Sequence, residues 1–495
     1  MIFKTLNPVI FFFFASLSIC NAQDKVIDDR DISSVIKNKL QNAQEIDVSK
    51  MEVNSDQGIV RLKGIANNLL ATVHAEDIAL AVTGVRGVVN LLEVKQKLVS
   101  DEKIKERIEK QLTNQLAPSI ENLRVIVADG KVQMSGVAHS WQEMNLAGKV
   151  TAGVYGVTGL DNNISFEPKR NRKDEKIEAE IEKFLSMNTR IDGDLVAVAV
   201  KEGKVELSGS VGSAWEKKYA QKIAWVTGVM NVKATNLNVE KWARDEAFRK
   251  DKYSNVSAEN TRQAILDAFL YDPRVSSFKI SVEVKNGIAN LSGKIENLEA
   301  KLAAGETAKN IVGIWQVKNN IDVNPAKRVA DTVISKNLAE AYQWDPYLND
   351  NLFDITVFED TVYLDGAVDN FFEKRLSEDI ASSIEGVENV KNRLTVDDNY
   401  PTGYYGNWIT DDDSAVPVGS PKSDEKIKKD IKEQYIWSPF VNVDEVVVNV
   451  NNGQATLTGT VDSYEEYRYA EKNAYQAGAV FVDNNLDVSI NIPEN

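Results

Sequence analysis

Two hydrophobic periods alternate along this chain, and the alternation recurs six times. In "RVIVADGKVQMSG", "VAVAVKEGKVELSG", "ISVEVKNGIANLSG" and "VVVNVNNGQATLTG", apolar residues fall at every second position on both sides of a polar turn. That period predicts paired strands with one buried face. Asp129-Gly130, Glu202-Gly203, Asn286-Gly287 and Asn452-Gly453 predict two-residue hairpin turns, where glycine suits a positive φ. A fifth copy turns at Glu359-Asp360 without glycine, so its turn is expected to be strained or longer. Ahead of three hairpins the period lengthens. Ile104/Ile108, Ile177/Ile181 and Ile427/Ile431 stand four apart behind an identical "DEKI". This predicts a first amphipathic helix, N-capped by Asp101, Asp174 and Asp424.

A second helix is predicted after each hairpin. The hairpins close at Gly64, Gly136, Gly209, Gly293, Gly366 and Gly459, and four residues later stand Asn68, Ser140, Ser213, Asn297, Asn370 and Ser463, all N-cap residues. Glu143, Glu216, Glu373 and Glu466 follow three positions on, as in a capping box. A small residue inside the helix (Ala75, Ala147, Ala220, Ala304, Ser377, Ala470) suits close packing on a sheet. The helix is expected to end at Gly84, Gly156, Gly228, Gly313, Gly386 and Gly478, read as C-caps in the left-handed conformation. A third strand then closes each unit in "NLLEV", "NNISF", "NLNV", "NNIDV", "NRLTV" or "NNLDV".

The unit is therefore αββαβ, and the fold class is α+β: a tandem array of six small α/β-sandwich modules. Their expected bounds are 23–98, 99–168, 172–240, 257–325, 327–397 and 422–490. Residues 241–256 read as a charged, helical linker and 398–421 as an aromatic and acidic one. A unit of about 70 residues can just bury its own core, which argues for beads rather than a solenoid.

Composition places the chain in a compartment. Lys4 and the run "PVIFFFFASLSI" predict a signal peptide over residues 1–22, cut after Ala22. The product is expected in the periplasm. Cys20 is the sole cysteine, and a lipoprotein anchored through it is the alternative, although Ile19 stands where a lipobox has a small residue. Cleavage after Ala22 would leave no thiol for a disulfide. The net charge of −16 sets the chain against nucleic acid as a partner. The basic cluster "KRNRKDEK" at 169–176 reads as a solvated linker, and Asp411, Asp412 and Asp413 as linker acids lacking a calcium loop's other ligands. Tyr404, Tyr405 and Trp408 in the second linker are candidate contact aromatics. The two histidines, His74 and His139, fall at ordinary helix and loop positions. No catalytic motif, metal set or cofactor loop is found, so no enzyme, cofactor or metal is expected.

A hairpin, an S-x-x-E helix start, a "GV-x-x-V-x-N-x-L-x-V" close, and "YDPRV", "QWDPYL" and "IWSPFV" before the hairpin together resemble BON domains. These are modules of bacterial osmotically induced periplasmic proteins and of nodulation proteins. Copies one to three depart from the pattern. They lack the aromatic-x-Pro element seen at Tyr271-Pro273, Trp344-Pro346 and Trp437-Pro439. The resemblance implies an envelope module without catalytic residues. The expected role is an extended interaction scaffold that binds envelope proteins or a phospholipid surface under osmotic or other stress. Binding of a small ligand or an ion such as potassium is the alternative, and an accessory of a secretion channel is a third reading.

Overall fold

The structure, a computed structural model, describes residues 27–43, 51–95, 99–116, 120–166, 172–244, 256–275, 277–325, 327–348, 353–368, 371–396 and 422–488. Residues 1–22, the 398–421 linker and most of 241–256 therefore lie outside the described residues. Only a 3-10 turn, Lys241–Arg244, is described in that first linker. Module one shows the plan: helix Asp29–Asn42, strands Glu52–Asp56 and Ile59–Ala66, helix Leu69–Leu80 and strand Gly87–Val94. Its sheet pairs the hairpin strands antiparallel and adds the last strand parallel. The other five modules repeat this order, so the α+β reading holds. Both helices cover one face of the sheet. Ile32, Ile36 and Leu40 project from the first helix onto Val60 and Leu62, with Ala75 and Ala79 completing the core. The small residue of the second helix is fully buried in all six modules.

Every module is organised around its hairpin turn. Both turn residues have positive φ in all six, from Gln57 and Gly58 in module one to Asn452 and Gly453 in module six. This is the type I′ pattern, and a non-glycine residue held there costs about 1–3 kcal/mol. Module five accepts two such residues, Glu359 and Asp360, in a turn that is strained but no longer than the rest. A carboxylate relieves the turn. Asp29 accepts hydrogen bonds from the N–H groups of Gln57 (2.7 Å) and Gly58 (2.9 Å). Asp101, Asp174, Asp331 and Asp424 do the same for their own turns. The "DEKI" aspartates are thus not N-caps. They are the first helical residues, one past the caps Lys173 and Ser423 in modules three and six, and their side chains reach across to the hairpin. Ser55 adds a third bond to Asp29, and with the turn amides holds that carboxyl below the usual carboxylate range. Module four has Ala258 at this position. There the Trp315 indole lies on Gly287 and donates to the Asn286 carbonyl at 2.7 Å.

The glycine after the second helix also differs from its expected role. All six have positive φ, yet in module one the helix ends at Leu80 with Ala81 as cap. Gly84 comes later, as third residue of a separate turn closed by the Val85 N–H on the Val82 carbonyl at 3.1 Å. A type II turn needs positive φ at that place. Modules two to five repeat it through Val157–Val154, Val229–Val226, Ile314–Ile311 and Val387–Ile384. Only Gly478 caps a helix directly. Ala479 donates back to Ala474 and Gly478 to Tyr475, the paired bonds of a Schellman motif. A Cβ on Gly84 would lie 2.9 Å from Ile27 at the entry to the first helix. Two residues on, the chain bonds the hairpin turn: Arg86 N–H to Gly58 O at 2.8 Å, with a counterpart in every module.

The capping glutamates shift by one residue as well. Glu143, Glu216 and Glu466 accept from His139, Gly212 and Asp462, each just ahead of the capping serine, while Asn370 lies outside the described residues. The asparagine of the closing motif ties the last strand to the second helix, as Asn90 Nδ2 does on the Thr72 carbonyl at 2.8 Å. Asn162, Asn319, Asn392 and Asn484 repeat this bond. Module three has Ala234 there, with a register shift in the sheet close by.

Gly84→Val should destabilise module one by about 2 kcal/mol or more, because strain and contact act together. Gly87 lacks positive φ, and a Cβ there would meet only the Ile59 side chain at an ordinary 3.5 Å, so Gly87→Gln should cost under about 0.5 kcal/mol. Hydrogen exchange of the 52–94 amides in the whole protein measures both. Equal losses would contradict this account of the turn.

Candidate functional site

The modules do not stand apart as beads. Their first helices pair in a nested order: one with six, two with five, three with four. In the outer pair the buried Lys39 ammonium donates to Gln434 across helices Asp29–Asn42 and Asp424–Trp437. In the middle pair, Arg107 (3.3 Å) and Lys110 (2.7 Å) both meet Glu340. In the inner pair, Lys183 meets Asp267 at 2.7 Å. The ends of four of these helices, those of modules three to six, then dock on the glycine turn of the opposite module. The Trp437 carbonyl accepts the Thr83 N–H at 3.2 Å, Trp344 that of Tyr155 at 3.0 Å, and Met187 that of Val312 at 2.9 Å. The Tyr271 hydroxyl receives the Thr227 N–H at 3.1 Å and donates to Glu180. These donors each stand immediately before the glycine. The side chains pack on foreign cores: Trp437 on module one, Trp344 on module two, Met187 on module four, Tyr271 on module three. The missing aromatic-x-Pro element of copies one to three is thereby explained. Each pair carries one aromatic anchor, and the later module supplies it.

Further contacts join the pairs to one another. Trp141 of module two stacks on Trp225 of module three with centroids 5.3 Å apart. Arg244 reaches Thr83 of module one and Ser438 of module six, both at 2.6 Å. Arg190 of module three meets Glu465 of module six at 3.0 Å in a largely buried pair. Burial opposes the Arg190 charge, and Glu465 overcomes that and raises its pKa above the usual range.

The closure leaves interior space. The second helices of modules four, five and six (Leu298–Lys309, Phe371–Ser382, Tyr464–Gln476) wall a cavity of about 1080 Å³ lined by Glu299, Glu306, Arg375, Asp379, Arg468 and Tyr475 among others. A smaller one of about 270 Å³ opens between modules one, three, five and six. Charges inside are shifted by their setting. Burial pulls Lys39 down to about 7, with Lys472 adding like charge, and Lys222 down to about 8 beside Lys149, Arg190 and Arg274. Burial pushes Glu299 and Asp379 up.

The structure brings Gly84, Gly156, Gly228 and Gly313 to the docking turns and His74 to the wall of the smaller cavity. It leaves His139 exposed on module two beside Glu121 and Glu143. Tyr404, Tyr405, Trp408 and Asp411–Asp413 lie outside the described residues. Among the described residues no group of three His, Cys, Asp or Glu side chains converges as a metal site, and no helix is long and apolar enough to cross a membrane.

The BON domain family matches six times, at residues 28–96, 100–168, 173–241, 257–325, 330–398 and 423–489. The chain belongs to the BON domain family. A curated relative is the osmotically-inducible protein Y of Escherichia coli (strain K12), 26% identical over 151 residues, which span 29% of this BON chain and 75% of that protein. Two solved structures of CdsD, a structural protein of the type III secretion system of Chlamydia trachomatis, also align. One covers 48% of this chain and 97% of its own at 17% identity, and the other, the C-terminal domain, covers 46% and 100% at 16%. Both have a TM-score of 0.13, which carries no argument about arrangement.

Trp437→Ala tests the pairing of BON modules one and six. It should remove about 1–3 kcal/mol from their contact, less than a fully buried tryptophan because the ring is only partly covered. Hydrogen exchange should speed up in 29–42 and 424–437 and stay unchanged in modules two and five. Loss confined to module six would show that Trp437 serves its own module alone.

Proposed function

We propose that this BON protein is an exported, non-catalytic scaffold of the cell envelope that serves in osmotic or envelope stress and docks on a phospholipid surface. The apolar stretch of residues 1–22 and the name of the Escherichia coli relative support the compartment and the stress role. The observation that carries the docking is the outer sheet face of module one. Its helices face the interior, so the sheet looks outward, and that face bears Ile59, Ile65, Val89 and Leu91, the last 52% exposed. Arg61 and Lys63 stand among them, opposite Val89 and Leu91 in the parallel register. The corresponding faces of modules two to four carry mostly Ser, Thr, Asn, Gln, Lys and Glu. An apolar face with interspersed cations suits the boundary between lipid headgroups and acyl chains, where each burial adds area-proportional stabilisation. Glu52 and Glu93 border the same face, and the chain's net charge of −16 opposes approach to a strongly anionic membrane. The reading therefore favours bilayers of mixed or low charge.

Sedimentation with liposomes of zwitterionic lipid and of graded anionic content tests this. The wild-type chain should bind and the Ile59→Asp/Leu91→Asp variant should bind at least about tenfold more weakly, a change of about 1.4 kcal/mol, with an unchanged circular dichroism spectrum. Absence of wild-type binding, or equal binding of the folded variant, would overturn the lipid reading.

A further inference from the structure

The smaller cavity has a chemistry that neither the sheet face nor the family match assigns. Its polar lining consists mainly of donors. Lys39 is only 6% exposed and its ammonium meets the neutral amide oxygen of Gln434, with no carboxylate partner among the described residues. Arg375 lines the same space from module five and makes no ion pair among the described residues; Asp379 on its own helix feels its charge from farther off. Asn473 of module six is 3% exposed, and its Nδ2 has no acceptor among the described residues. Lys472 adds a third ammonium, 6.0 Å above the Tyr469 ring. The acid at this wall, Asp77, is already engaged by Lys218 at 2.9 Å. Aromatic rings form another part of the lining: Phe440 stacks on Tyr469 at 3.9 Å and meets Trp215 edge-on at 4.8 Å.

Three cations and an orphaned amide donor, gathered in a chain of net charge −16, are the reverse of what composition would place there by chance. A buried donor without an acceptor is costly, and a buried ammonium without a counter-charge more so. An anion in the cavity satisfies both at once. We infer that this cavity, built jointly by modules one, three, five and six, is a binding site for a small organic anion. Its carboxylate or phosphate group lies among Lys39, Arg375 and Asn473, and its apolar body rests against Phe372, Phe440 and Trp215. Arg375 supplies the planar fork suited to such oxygens, and the volume of about 270 Å³ admits a ligand of single-ring size. Because four modules contribute, the site exists only in the closed assembly, so occupancy favours closure by mass action.

Titration calorimetry on residues 23–495 at fixed ionic strength tests the site with phenyl phosphate, benzoate and inorganic phosphate, and with benzamidine as a cation of similar size. Phenyl phosphate or benzoate should bind and benzamidine should not. Lys39→Met and Arg375→Gln should each weaken anion binding by at least tenfold, while the melting temperature of Lys39→Met without anion stays level or rises. Absence of binding by every anion, equal affinity in both variants, or preference for benzamidine would overturn the inference. A fall in the Lys39→Met melting temperature with unchanged anion affinity would make Lys39 a packing residue only, and would also overturn it. Liposome binding is read separately, so failure here leaves the sheet-face proposal untouched.

Discussion

Each module depends on a hairpin turn that is held from two sides. The turn places non-glycine residues at positive φ, at a cost of about 1–3 kcal/mol apiece. A carboxylate from the start of the first helix bonds both its N–H groups in five modules, and these charge-assisted bonds offset part of the strain. That relief is available only while helix and hairpin stay in register. The chain leaving the glycine turn then bonds the hairpin carbonyl from the other side. First helix, hairpin and glycine turn are thereby fixed as one corner of the module.

That corner is also where modules meet. With Arg86 N–H turned to its own hairpin, the Thr83 N–H just ahead of Gly84 points away and meets the helix end of module six. The same geometry serves Tyr155 and Val312 against modules five and three. A local solution to backbone strain therefore leaves a donor facing outward at a fixed place. Six modules use it to close on themselves in the order one-six, two-five, three-four. The closure gathers helices and charged side chains of several modules around two cavities.

Much of the module was legible in its sequence. Period-two runs, period-four isoleucines and the recurring small residue gave the sheet, the first helix and the close packing of the second, because these signals are local and Ile104, Ile177 and Ala75 each report on a buried face. Asp101 was misread as a cap because its partner amides at Asp129 and Gly130 lie 28 and 29 residues away. Gly84 was misread as a helix end because a separate four-residue turn intervenes. The contacts between modules were illegible for a related reason, since Trp437 meets Thr83 across 354 residues. The signal for that pairing was present as an asymmetry: aromatic-x-Pro stands in copies four to six and not in one to three. Lys39 and Asn473 carried no local mark, because what distinguishes them among the described residues, an ammonium that meets only an amide oxygen and an amide donor without an acceptor, arises in a cavity built by four modules.

The closed order of modules is the central claim, and small-angle X-ray scattering of residues 23–495 tests it most directly. Compact chains of this length have a radius of gyration of about 23 Å, and six modules paired one-six, two-five and three-four should scatter near about 25–28 Å with a single-peaked distance distribution. A string of six independent beads would exceed about 40 Å, given a module radius of gyration of about 11 Å and spacing of about 25 Å. A value in that upper range, or a distribution with a long tail of regularly spaced shoulders, would contradict the nested pairing and return the molecule to an extended array.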